Sequence, residues 1–253
     1  MKRYIIIVLF ISSIFSSETI GLVMKKKGKV NYTPYSNNQK AQSLKISESL
    51  FNQDLIETGK DGFAKFVYLD DASVIKIHKN SEIYIQGSIK KRRIMKQVNI
   101  STGKMKLDIN KQEVGEFKII TPTSVASIKG TRFWVDVNGE KGDLFHGLSG
   151  IVEITNNATG EKVNLTANTT ATSLPDGTLD IKKTVNKELI ELEMLEQDVG
   201  EPVDDMPDNN LEDDSGSSIP DDTNESTSNI NQIIIKLKNS SSEEKTLVIK
   251  YTN

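Results

Sequence analysis

Thr121-Pro122-Thr123-Ser124-Val125-Ala126-Ser127-Ile128-Lys129-Gly130-Thr131-Arg132-Phe133-Trp134-Val135-Asp136-Val137 is the stretch that decides the fold class. Pro122 fixes its own φ and pushes Thr121 into an extended conformation, so a strand ends there. Gly130 supplies a position that can take positive φ or let another backbone come close. Beyond it Phe133, Val135 and Val137 alternate with Trp134 and Asp136, the period of two that marks a strand. The stretch predicts a buried turn followed by a strand. It reads as structure, not as catalysis, and it holds the only tryptophan of the chain.

The same alternation extends on both sides. Strands are predicted at Gly28–Tyr32, Phe63–Leu69, Ser73–Ile77, Glu82–Ile85, Val98–Ile100, Lys104–Ile109 and Glu116–Ile120. After Phe133–Val137 come Gly150–Ile154, Glu161–Leu165 and Thr170–Leu174. Turn residues separate them, among them Thr58-Gly59-Lys60-Asp61-Gly62, Asp70-Asp71, Asn138-Gly139, Asn156-Asn157 and Pro175-Asp176-Gly177. Short strands with frequent turns predict an all-β domain over 18–180: a sandwich, a roll or a solenoid-like stack. An echo of glycine followed by alternating apolar residues recurs at Gly103–Leu107 and Gly150–Ile154. Its spacing is not constant, so it weighs little toward a regular solenoid.

Upstream, Lys2-Arg3 precede an apolar run from Tyr4 to Ile11, and small residues follow through Ser17. This predicts a signal peptide over 1–17, and hence export to the periplasm or beyond. The run is shorter than the ~20 residues of a spanning helix, so no stable membrane span is expected after cleavage.

Downstream the period changes. Val185, Leu189, Leu192 and Leu195 fall on one face at helical spacing, which predicts an amphipathic helix over 181–196. Residues 197–229 are acidic and poor in apolar side chains, the composition of a disordered linker. Ile233–Lys238 and Thr246–Tyr251 flank a polar middle, which predicts a C-terminal β-hairpin over 230–253. A lone hairpin is marginal in water. It is therefore expected to dock on its own domain, on a second copy, or on another protein by strand addition. The helix offers a second route to self-association.

Composition narrows the chemistry. A formal net charge of -3 gives no global attraction to nucleic acid. The chain has no cysteine, which removes disulfides, thiol catalysis and cysteine metal sites. Its two histidines, His78 and His146, supply a zinc site or a catalytic triad poorly. His146, before Gly147, reads as a turn or edge residue. Asp70-Asp71 sit at a turn, and neighbours along a strand point to opposite faces, so a shared acid/base site is not implied. Ser124 and Ser127 lack a nucleophile-elbow context. Neither an enzyme nor a cofactor nor a metal site is expected. The candidate binding residues are Lys90, Lys91, Arg92 and Arg93, extended by Lys96, read as a hairpin tip. Such a tip would suit an acidic partner or an anionic envelope glycan or lipid headgroup. No aromatic residues interleave with these charges, as a nucleic-acid platform would require.

Several ordered motifs resemble the FecR-type periplasmic domain. They are Leu55–Phe66, Leu69–Val74, Ile120-Thr121-Pro122 leading to Ile128–Phe133, then Gly150–Ile154 and Val163–Ala167. The resemblance runs from about Ile20 to Asp180. It makes Gly59, Asp71, Pro122, Gly130, Thr131, Phe133 and Gly150 structural motif residues. Ala72 departs from the family's Asp-Gly, Lys129 stands where arginine is frequent, and Asn168 where glycine is common. The resemblance implies a non-enzymatic sensing, scaffolding or protein-interaction module outside the inner membrane, with an envelope protein as partner. Family regulators of sigma factors carry a cytoplasmic segment before their membrane span. Only Met1-Lys2-Arg3 precede the apolar run here, so a stand-alone module without that segment is expected.

Overall fold

The computed structural model of the chain describes residues 18–35, 40–90, 92–112, 115–139, 142–201, 231–238 and 244–251. The expected signal peptide and most of the expected linker lie outside the described residues. The chain divides into two units, one through Asp205 and one from Met206.

The first unit is all-β with one helix. Its strands are β1 (Gly21–Lys27), β2 (Val30–Thr33), β3 (Gln42–Ser43), β4 (Ser49–Leu50), β5 (Asp54–Thr58), β6 (Phe63–Tyr68), β7 (Val74–Ile77), β8 (Glu82–Lys90) and β9 (Arg93–Ile109). There follow β10 (Phe117–Ile120), β11 (Ser124–Ile128), β12 (Thr131–Asn138), β13 (Gly142–Ser149), β14 (Val152–Asn156), β15 (Lys162–Leu165), β16 (Thr169–Ser173) and β17 (Leu179–Lys183). The helix α1 spans Asn186–Asp198.

The strands make two sheets that share β9. The first runs β4-β1-β6-β7-β9-β12-β13-β16-β17 and is antiparallel throughout. The second runs β3-β2-β5-β8-β9-β10-β11-β14-β15, antiparallel except for the parallel β9–β10 pair. β9 changes sheets around Ser101–Gly103. Its register against β8 slips between Glu82 and Ile83, and Gly103 takes a φ of 102°. A Cβ on Gly103 would lie 2.1 Å from Ser81 Oγ, so glycine alone fits this corner. The interruption is also why the sequence pattern reads β9 as two strands, Val98–Ile100 and Lys104–Ile109.

The inward phases of both sheets fill one core. Phe133, Val135 and Val137 of β12 join Ile75 and Ile77 of β7 and Phe117 and Ile119 of β10. Tyr68 of β6 and Phe117 of β10 meet edge-on across the gap, with ring centroids 5.6 Å apart. The architecture is thus a sandwich rolled at the β9 corner. Among the described residues three buried apolar side chains lie outside this core: Phe63, Trp134 and Leu192. Trp134 alternates with Phe133 and Val135 and so stands on the outward face of the first sheet. It is nevertheless only 1% exposed, because α1 covers that face.

The helix begins later than its period suggests. Ile181 belongs to β17, and Val185 is the half-exposed N-cap. The buried helix residues are Leu192 and Glu196, the latter charged and invisible to an apolar pattern. Helical backbone continues to Asp198, and Glu201 is buried as well, so the first residues of the expected linker belong to the fold. Among the described residues no helix is long and apolar enough to cross a membrane. In the second unit β18 (Asn231–Lys238) and β19 (Glu244–Tyr251) pair antiparallel, from Asn231↔Tyr251 to Lys238↔Glu244.

Candidate functional site

Four lysines stand side by side on the outward face of the first sheet. Lys25 lies opposite Lys65, Lys65 opposite Lys76, and Lys76 opposite Lys106. The row continues through Trp134, His146 and Thr170. In each of β6, β7 and β9 the lysine occupies the phase between two core residues, as Lys76 does between Ile75 and Ile77. Lys25 reaches the row through a bulge. The register passes from Val23↔Phe66 to Lys25↔Lys65 and leaves Met24 unpaired. Strict alternation would have turned Lys25 inward.

Like charges directly opposite each other in a sheet repel. The end of α1 supplies the counter-charge. Glu196 accepts from Lys76 and, at 3.3 Å, from Lys106. Glu201 accepts at 2.9 Å from Lys25, 2.9 Å from Lys65 and 3.1 Å from Lys76. Lys25 also donates to the Gly200 carbonyl at 2.9 Å, and Lys27 donates to that of Asp198. These carbonyls form the negative end of the helix dipole, where cations are favoured. Burial pushes both carboxyls up, but His78, Lys76 and Lys106 outweigh it at Glu196, and Lys65, Lys25 and Lys76 at Glu201, and hold each at about 2. Burial lowers the Lys76 ammonium, yet its two glutamates raise it on balance.

Both histidines lie beneath the same helix. His78 Nε2 is 3.0 Å from Glu196 Oε1 but out of line for a hydrogen bond. Its ring packs between Phe63 and Trp134, with centroids 5.3 and 4.8 Å away. Lys106 Nζ sits 5.7 Å over the Trp134 ring. His146 Nδ1 is 3.0 Å from Thr170 Oγ1 and 3.9 Å from Glu188 Oε2. His146 is therefore not a turn or edge residue: it lies inside β13, between β12 and β16, and is 3% exposed. Burial lowers both imidazoles. Lys76 and Lys106 add to this at His78 against the pull of Glu196; Lys104 and Lys182 add to it at His146 against Glu188 and Asp136.

The expected basic tip divides. Lys90 pairs with Arg93 at the end of the β8–β9 hairpin, and Lys90 and Arg92 are exposed. Lys91 lies outside the described residues. Lys96 does not belong to the tip: it points inward on the phase of Ile94, Val98 and Ile100. There it donates to Asp70 and Asp71, at 2.8 Å each, and to Gln112 at 3.2 Å. Asp70 and Asp71 sit in the turn expected for them, and there both carboxylates converge on one cation. Burial pushes Asp71 up, but the Lys96 bond and the Ser73 backbone N–H hold it below the usual range.

The motif residues sit at corners of the sandwich. Gly59 accepts from the Gly62 N–H and donates to Lys29 O in the turn between β5 and β6. Asp71 accepts the Ser73 N–H at 2.9 Å. The turn after Pro122 is buried but shorter than expected, since β11 begins at Ser124, and Asp143 of β13 accepts there from the Thr123 N–H at 2.9 Å. Gly130, Thr131 and Gly150 meet: a Cβ on Gly150, at φ 79°, would lie 2.7 Å from Gly130 O. Phe133 is in the core.

The lysine row was missed from sequence. Each lysine is an ordinary polar-phase residue, and only the pairing register brings them together. Among the described residues no group of His, Asp or Glu is arranged to hold a metal ion. The site can do two things chemically: hold a helix end by its carboxylates, and attract anions.

A family model described as FecR protein matches residues 54–153. None of the curated proteins matches the chain. Two crystal structures, at 1.65 and 2.50 Å resolution, of a candidate anti-sigma factor from Parabacteroides distasonis are similar at 15% identity, each with a TM-score of 0.45. The first covers 55% of this chain and 64% of its own; the second, 54% and 62%.

Proposed function

We propose, from the premise that this chain carries a FecR domain, that it is an exported protein-interaction and sensing module of the bacterial envelope and not an enzyme. In this reading the two-sheet domain is a rigid base, and the segment beyond Glu201 is the arm that meets an envelope protein. The observation that carries the reading is the anchoring of Glu201 by Lys25, Lys65 and Lys76. It fixes the point at which the chain leaves the sandwich. Regulation by protein contact is what the FecR domain suggests for such a base.

In-cell cross-linking and co-purification test this with the full chain beside one ending at Asp205. The cut is placed there because Glu196 and Glu201 belong to the base. A partner protein recovered only with the full chain is the expected result. Equal recovery from both would remove the arm from the account.

A further inference from the structure

A cavity of about 220 Å³ opens beside the Glu201 anchor. Lys65, Lys76, Lys106 and Arg132 line it, with Asp108 and Glu201 as its acidic side chains. The lining therefore carries four cations and two carboxylates. Asp108 lies opposite Arg132 in the β9–β12 pairing, so one carboxylate is set beside the guanidinium. The three lysines project from adjacent strands β6, β7 and β9 along one row. Lys106 is only 6% exposed and the Lys76 side chain 14%, so the cations work where water screens them poorly. Glu201 shows the kind of group this place accepts. A single carboxylate there gathers three ammonium groups within 3.1 Å.

We propose that this cavity is a binding site for a phosphate-class oxyanion, held by Lys65, Lys76, Lys106 and Arg132. Three adjacent ammonium groups and a guanidinium suit a compact, multiply charged anion with several acceptor oxygens. The anion shares Lys65 and Lys76 with Glu201, shares Lys76 and Lys106 with Glu196, and is repelled by both carboxylates. Binding is thereby coupled to the seating of the helix end, since whatever neutralises the lysines weakens their hold on Glu201. The site goes beyond the protein-interaction reading and does not depend on it.

Two arms test the proposal and separate the sources of the phosphate. Inorganic phosphate is titrated into the full chain at low salt by calorimetry. Vesicles of phosphatidate in phosphatidylcholine are co-sedimented with it, against phosphatidylcholine alone. Saturable binding is expected in at least one arm: the first points to a soluble anion, the second to a lipid headgroup. Lys65→Gln and Arg132→Gln should each weaken it about tenfold, the effect of one charge-assisted hydrogen bond. Glu201→Gln should tighten it by removing the competing carboxylate. Melting curves confirm that each variant is folded. No saturable binding in either arm overturns the proposal. So does binding that all three substitutions leave unchanged.

Discussion

Glu196 is the residue on which the outward face depends. It is completely buried and touches Lys76 and Lys106 at once. Removing one partner of a buried ion cluster leaves the others uncompensated. Glu196→Gln should therefore cost about 3 kcal/mol or more by chemical denaturation, although it keeps the side-chain volume. Ala72 makes the opposite case. It holds a φ of 57° in the turn after Asp71, the position where the FecR pattern has glycine. Ala72→Gly should raise stability by about 1 kcal/mol, less whatever the freer unfolded chain takes back. A lower melting temperature would contradict this. Asn168 also sits at positive φ, 59°, but asparagine tolerates that region and little gain is expected there. These departures were legible as turn positions in the sequence. Glu196 was not, since a charged residue on the buried side of a helix looks like a solvated one until its partners are known.

At the scale of elements, the apolar alternation was enough to find β6, β7, β10, β12 and β14. It found the two halves of β9 but could not join them, because the glycine that breaks the pattern is the corner where the strand changes sheets. It overlooked β13, whose sequence Gly142-Asp143-Leu144-Phe145-His146-Gly147-Leu148-Ser149 places a buried aspartate on the core phase and a buried histidine on the outward phase beneath α1. The helix was legible from its leucines, but its exact face was not. Leu192 and Glu196 carry the contact while Val185 stays exposed. A chain ending at Asp198 should accordingly be less stable than one ending at Asp205, because it lacks the Glu201 anchor to Lys25, Lys65 and Lys76. Equal unfolding midpoints in urea would show that Glu201 contributes nothing to the hold on α1.

For the molecule as a whole, the helix-to-sheet contact should weaken in acid. Glu196 and Glu201 are held at about 2, below the usual glutamate range, so their contribution is fully present above about pH 4.5 and is lost as pH falls toward 2. His78 and His146 are lowered from 6.5 by burial, so in the fold they take up protons only at lower pH than in the unfolded chain. The unfolded chain takes up those protons first, so stability also declines as pH drops below about 6.5. Both effects have the same sign. Thermal midpoints measured from neutral pH down to about pH 3 should fall in two stages, and a flat profile would contradict the assignment. None of this was visible in the net charge of -3, which averages a lysine-rich sheet face against an acidic C-terminal region. The all-β class could be read locally. The site could not, because it exists only where four strands and a helix end converge.

The most direct measurement is backbone hydrogen exchange in the full chain against a Glu196→Gln, Glu201→Gln double variant. The amides of α1 should be protected in the natural chain and lose protection in the variant, while those of β7, β9 and β12 keep theirs. Unchanged protection along α1 would mean that the lysine row does not hold the helix, and the anchored base on which the function is argued would fall with it.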